Sequence, residues 1–250
     1  MRRYDDGLLW GCIGQPWIRK LLLAILSRNC HFMTVSRENM QTLTEKLLNL
    51  PGNMFTQSDA ALLLEGTPDR RHALVKRALA KGEILGIRRG LYCLAPQYQR
   101  KPVNVFALAQ RVYGPSYVSM ESALGFHGWI PEAVYACTCA SLGNARAFET
   151  PLGTFLYRRV PQRVFYANVD RLTDNSGNVF LMASPAKALA DYVYTRKPPW
   201  RGIDDAAESL RIEPEAWHGT GAPELDELAA NYASRRVTAF LRRWKEALPR

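Results

Sequence analysis

The sequence predicts an α+β fold in two parts: an N-terminal winged helix-turn-helix, then a larger mixed α/β domain with an antiparallel sheet and C-terminal helices. Three observations carry this. Between Ser36 and about residue 96, three capped amphipathic segments precede two short apolar runs joined by a basic turn. Beyond Gly128 the apolar spacing changes from helical to alternating, and from Pro223 it becomes helical again. The chain has 250 residues, 47% of them hydrophobic and 22% charged, which is enough apolar material for two cores and excludes wholesale disorder.

In the first part, Ser36 caps a helix with Met40, Leu43, Leu47 and Leu48 on one face, closed by Pro51-Gly52. Thr56-Gln-Ser-Asp59 has capping-box spacing and starts a short second helix that Gly66 stops. Thr67-Pro68 supplies an N-cap and a proline at the first helical position of a third helix, which runs to about Lys81. Glu83 to Arg88 and Leu91 to Leu94 then read as two strands joined at Arg89-Gly90. Three helices followed by a basic hairpin is the order in which a third helix enters the major groove and the hairpin meets the sugar-phosphate backbone.

Charge is concentrated in the same place. The chain carries 33 Lys plus Arg against 23 Asp plus Glu, for a formal net charge of +10. Residues 67–102 hold nine of those cations against two acids, whereas residues 103–250 hold seventeen against fifteen. A local excess of this kind is the footprint of a phosphate-contacting module, because neutralised phosphates release counterions. At 100° per residue, Leu74, Val75, Ala78 and Leu79 fall in one arc of the third helix, and Arg70, Lys76, Arg77 and Lys81 fall mostly outside it. Those four residues, with Arg88 and Arg89 at the turn, are the candidate DNA-binding residues. Arg71 lies near the apolar arc and reads as structural, or as marking the helix entrance.

Gln97 to Pro102 is polar and ends in proline, which suits a linker over 97–102 between a module at 33–96 and a domain at 103–250. In the second part, Asn104 to Val112 has helical spacing, and Ser119 caps another helix ended by Gly128. Val134 to Ser141, Ala145 to Glu149, Thr154 to Arg159, Gln162 to Asn168 and Val179 to Met182 alternate between turn residues, as antiparallel strands do. Ser184-Pro185 opens a helix bearing Ala188, Leu189, Tyr192 and Val193. The terminal stretch from Arg235 to Lys245 is basic and amphipathic, with Val237, Phe240, Leu241 and Trp244 on the side that would dock against the domain.

Residues 1–32 mix basic and apolar residues without forming a signal peptide. Asp5 and Asp6 sit among the basic residues, and Pro16, Arg19 and Lys20 interrupt the apolar segment. Met33 is expected to be the initiator, with residues 1–32 a non-native or disordered leader. The longest run without a polar residue near the start, Leu21 to Leu26, is far short of the ~20 apolar residues of a membrane span. Five cysteines without a CxxC and four scattered histidines spell neither a disulfide framework nor a zinc module, and a cytoplasmic location is expected. Cys137 and Cys139 alternate onto one strand face and read as small core hydrophobes.

Catalytic chemistry finds little footing. Glu121, His127 and Glu132, with Asp170, Asp174 and Asp191, contain the residue types of a metal-dependent nuclease, yet Glu121 and His127 stand about 120° apart on a helix. Glu121 and His127 instead suit the two ends of a helix dipole. Asp191 is not favoured by its dipole and calls for a buried cationic partner such as an arginine. Ser119, Ser122 and Ser184 lack a nucleophile elbow, and no glycine-rich phosphate loop is present. The sequence therefore predicts no catalytic residue, metal or cofactor, and a protein that is not an enzyme.

Three segments carry a resemblance: Ile87-Arg-Arg-Gly-Leu-Tyr-Cys-Leu-Ala95, then Ser116-Tyr-Val-Ser-Met-Glu-Ser-Ala-Leu-Gly-Phe-His-Gly-Trp-Ile-Pro-Glu132, then Ser184-Pro-Ala-Lys-Ala-Leu-Ala-Asp191. In this order they resemble the AbiEi-type antitoxins of abortive-infection AbiE (type IV) toxin-antitoxin systems, over roughly residues 37 to 200. The resemblance implies an antitoxin and transcriptional autorepressor. Its winged helix would bind inverted repeats in double-stranded promoter DNA, with Arg88 and Arg89 in the matching segment. Its second domain would counter a nucleotidyltransferase-like cognate toxin, generally without a stable complex. The 32-residue leader and the C-terminal tail depart from the family pattern. The residues also leave open a stand-alone winged-helix regulator whose second domain senses a ligand or dimerises.

Overall fold

The computed structural model describes residues 43–48, 53–132 and 134–249. The leader at 1–32, the start at Met33, the cap at Ser36 and the closure at Pro51-Gly52 lie outside the described residues. What is described is a mixed α+β fold with two sheets.

The N-terminal portion runs α1 (Leu43–Leu47), β1 (Met54–Thr56), α2 (Gln57–Leu63), α3 (Pro68–Ala80), β2 (Ile84–Arg88) and β3 (Leu91–Leu94). Thr56 caps α2 with its side chain and receives Asp59 in return, forming the capping box that the spacing predicts. The strand β1 has no counterpart among the elements expected from sequence. It is three residues long, directly precedes the capping box and pairs antiparallel with β3, Met54 opposite Cys93 and Phe55 opposite Tyr92. The resulting sheet has the order β1-β3-β2. Alternation along β3 sends Tyr92 and Leu94 toward a core with Leu47, Phe55, Ala60, Val75 and Ile84, and sends Leu91 and Cys93 toward the larger core with Met54 and Ile87.

The larger core lies about a six-stranded sheet formed by β4 (Ser116–Val118), β5 (Ala136–Ser141), β6 (Arg146–Thr150), β7 (Gly153–Arg159), β8 (Val169–Thr173) and β9 (Val179–Ala183). Its order is β6-β7-β5-β4-β9-β8. The expected antiparallel sheet is corrected to a mixed one, because β5 pairs with β7 and β4 with β9 in parallel. Two particulars explain the difference. The expected strand over Gln162 to Asn168 is a turn, and pairing resumes only at Val169. The central strand β4 has three buried residues in succession, so it shows no alternation to detect.

Helices α4 (Val105–Val112), α5 (Met120–Phe126), α6 (Pro185–Arg196), α7 (Ile203–Leu210), α8 (Pro214–His218), α9 (Ala222–Asn231) and α10 (Arg235–Ala247) complete the fold. In α10 the buried residues are Val237, Phe240, Leu241 and Trp244, the four expected from periodicity, and the Trp244 ring meets that of Trp129 edge-on at 6.0 Å. Ser119 stands at the N-cap of α5, but its hydroxyl does not cap it. The cap comes from β5, where the Thr138 hydroxyl accepts from Ser122 N at 3.0 Å.

Ser119 is otherwise engaged, in a buried polar network. Lys187 and Asp191, one helical turn apart on α6, are both fully buried and pair at 2.9 Å. The Lys187 ammonium spends its three protons on Asp191 Oδ1 at 2.9 Å and on the hydroxyls of Tyr117 and Tyr232 at 2.8 Å each. Both tyrosines donate in turn to the Asp191 carboxylate, as do the Ser119 hydroxyl at 2.7 Å and the Gln162 amide at 3.2 Å. The buried partner expected for Asp191 is therefore Lys187 and not an arginine. Burial pushes the Lys187 amine down and the Tyr117 and Tyr232 hydroxyls well up, Asp191 opposing the first and adding to the other two. Both hydroxyls remain protonated donors.

Removing one member of such a pair strands a charge in a low-dielectric interior. Lys187→Met is expected to destabilise the protein by about 3–5 kcal/mol, read from the urea midpoint. A loss below about 0.5 kcal/mol, ordinary for surface substitutions, would contradict this account.

A second carboxylate yields an acid signature. Asp174 accepts from the backbone N–H groups of Ser176 and Asn178 and from the side-chain amides of Asn104 and Asn178. These bonds, chiefly the Asn178 and Asn104 side chains, hold its carboxyl well below the usual carboxylate range. A carboxyl whose pKa is depressed on folding adds stability above its unfolded value of about 3.9 and loses it as pH falls. Stability is expected to drop as pH falls from about 5 to about 2, and Asp174→Asn should flatten that slope in urea titrations.

Candidate nucleic-acid interface

The third helix is built for an exposed face. Thr67 Oγ1 accepts from Arg70 N at 3.3 Å, Pro68 occupies the first turn, and Asp69 adds an acid where the dipole favours one. Val75 and Ala78 are buried against α1, α2 and β2, with Leu74 partly buried beside them, while Leu79 stays 37% exposed. Its thirteen residues give a rod of roughly 20 Å at 1.5 Å per residue.

All four candidate cations of α3 and its C-cap are exposed. Arg70 lies along Gly66, and the backbone there takes φ +102°, a conformation that requires glycine. Lys76 projects without a side-chain bond among the described residues. Arg77 Nε donates to Ala73 O at 3.3 Å within its own helix, and Lys81 sits 3.8 Å from Glu83 with its side chain 70% exposed. An ion pair this open is screened by water and leaves Lys81 available. Arg71 Nη1 donates to Gly66 O at 2.8 Å, in keeping with its structural reading.

The hairpin separates its two arginines. Arg88 directs Nε and Nη2 at the carbonyl of Arg111, near the C-terminal end of α4, at 3.3 and 3.1 Å. Arg111 in turn reaches Met54 O on β1 at 3.4 Å. Arg89, at the turn before Gly90, is exposed and its side chain makes no hydrogen bond or ion pair among the described residues. The turn is anchored by Gln57 N donating to Gly90 O at 3.1 Å, which fixes it beside the start of α2. Sequence reasoning does not single out Arg111. A basic residue in the last turn of a mainly apolar helix is its only signal.

The carboxylates considered for metal chemistry do not converge. Among the described residues no group of three His, Cys, Asp or Glu side chains could hold a metal ion. Glu121 Oε1 receives Arg196 through Nε at 3.0 Å and Nη2 at 2.6 Å, Glu132 is held by Arg211, and the His127 ring meets Ala183 O at 3.0 Å. Asp191 is consumed by the buried network. Burial pushes the Cys93 thiol up to about 11 and raises Cys139 as well, so these sulfurs stay protonated and unreactive at neutral pH. Cys137 and Cys139 are buried with their sulfurs 3.9 Å apart, on the shared face that alternation predicts. No family model matches the chain, and no curated protein matches it. No helix among the described residues is long and apolar enough to cross a membrane.

The two hairpin arginines should separate in experiment. Arg88→Ala is expected to cost about 1 kcal/mol of stability through its lost charge-assisted bonds, discounted for exposure, whereas Arg89→Ala should stay within about 0.5 kcal/mol of wild type. Chemical denaturation of the two variants makes the comparison, and equal effects would contradict the assignment.

Proposed function

We propose that this protein is a DNA-binding transcriptional autorepressor and antitoxin of a toxin-antitoxin operon. The N-terminal portion acts as a winged helix-turn-helix. What supports this is that three helices, α1 to α3, precede the basic β2–β3 hairpin. The observation that carries the reading is the exposed cationic surface of α3 and its C-cap, Arg70, Lys76, Arg77 and Lys81, joined by Arg89 at the hairpin turn. An α-helix fits the major groove of B-DNA, which is about 12 Å wide. Arg70, Arg77 and Lys81 reach base edges or flanking phosphates, and Arg89 contacts the backbone or minor groove. Arg88 adds its charge from a position tied to α4. The antitoxin half, in which the second domain counters a nucleotidyltransferase-like toxin, rests on the resemblance of the three segments at 87–95, 116–132 and 184–191.

A mobility-shift titration of the full chain against its own upstream promoter and a scrambled control, at two salt concentrations, tests the repressor half. Selective, salt-sensitive retention of the promoter is expected. Replacing Arg77 and Arg89 with Ala should weaken binding and reduce the log-log salt slope by about one for each phosphate no longer neutralised. Indiscriminate binding, or an unchanged slope in the variants, counts against the reading. Co-expression with a toxin encoded beside it tests the antitoxin half, where growth rescue by the intact chain is the expected result.

A further inference from the structure

On the six-stranded sheet, the C-terminal end of β7, the C-terminal end of α6 and the N-terminal end of α10 border an open cleft of about 400 Å³. That volume lies within the range of small-ligand sites, roughly 300–1,000 Å³. Four cations line it: Arg158 and Arg159 from β7, Lys197 after α6 and Arg236 in the first turn of α10. Among the described residues no carboxylate lines it, and none of the four cations forms an ion pair.

Their placement is fixed by the backbone. Arg158 and Arg159 pair across to Ala140 and Ser141 on β5, which anchors the strand end that carries them. Lys197 takes the left-handed conformation at φ 51°, ending α6 and turning the chain at the cleft. Arg236 Nη1 donates to the carbonyls of Lys197 and Pro198, both at 3.1 Å, covering the negative end of α6 and holding its guanidinium beside the cleft. Ser234 opens α10 there with no side-chain bond to the helix start, and the Tyr194 ring forms part of the wall.

Cations gathered without counter-charge repel one another, and a multiply charged anion relieves that repulsion. Guanidinium forks match phosphate oxygens two at a time, and three of the four groups are arginines. We propose that this cleft binds the phosphoryl group of a small ligand with the charge of a diphosphate, at a site separate from the α3 surface. Recognition runs through Arg158, which shares the sheet face of Tyr117 and α6, with Lys197 and Arg236. Arg159 follows on the opposite face of β7 and adds its charge at the strand end, and the N-terminal dipole of α10 adds to recognition.

Isothermal titration of the full chain with inorganic pyrophosphate, at about 0.1 M salt where surface charges are partly screened, tests the site. Saturable one-to-one binding is expected, weakened about tenfold or more in Arg158→Gln/Arg159→Gln, since one lost charge-assisted bond is worth at least about that factor. Circular dichroism of the variant checks its fold, and Lys197→Gln, at an exposed turn, serves as the second variant and should also weaken binding. Absent binding, or equal binding by wild type and both folded variants, overturns the proposal. Loss of promoter affinity in the same double variant also overturns it, by making the cleft part of a nucleic-acid path. The pyrophosphate titration needs no DNA, so it stands or falls apart from the repressor reading.

Discussion

One buried ion pair organises the larger core. Lys187 and Asp191 recruit Tyr117 from β4, Ser119 from the start of α5, Gln162 from the loop after β7 and Tyr232 from the end of α9. Gln162 and Val164 in turn bond Asn231, the last residue of α9. Elements distant in sequence are thus joined through two side chains on one turn of α6. Ion pairs of this depth are poor sources of net stability, because desolvation consumes most of the Coulombic gain. In this arrangement all three ammonium protons are spent, and removing any one partner would leave a buried donor or acceptor unsatisfied.

The exposed surface of α3 depends on a different set of contacts. Thr67 starts the helix, and Val75 and Ala78 hold it to α1 and β2. The hairpin is fastened from behind through Arg88 and Arg111 and at its tip through Gln57. The backbone that carries these cations is held this way, so ordering on binding falls on the exposed side chains alone.

Legibility from sequence followed the range of the interactions. Caps and helical periods are local, so the starts of α2 and α3 and the four buried residues of α10 could be read directly. The mixed sheet could not, because parallel pairing of β5 with β7 and β4 with β9 is set by long-range packing and β4 is too short and too uniformly buried to alternate. Ser119 was legible as a cap position, but its hydroxyl turns to Asp191, 72 residues away, and Thr138 supplies the cap from a neighbouring strand. At the candidate interface the charged positions on α3 were readable from angle alone. The different roles of Arg88 and Arg89 were not, since they rest on where the carbonyl of Arg111 falls.

The strand β3 has a consequence for how the molecule comes apart. Its alternate side chains enter two different cores, Leu91 and Cys93 one way and Tyr92 and Leu94 the other, and its backbone pairs on both edges. Melting either core exposes a face of the same four residues and frees the ladder that the other core relies on. The two cores are therefore expected to unfold as one cooperative unit, with heat and denaturant each crossing a single transition. Amide protons of β3 should be among the slowest in the chain to exchange, because they open only when everything else does.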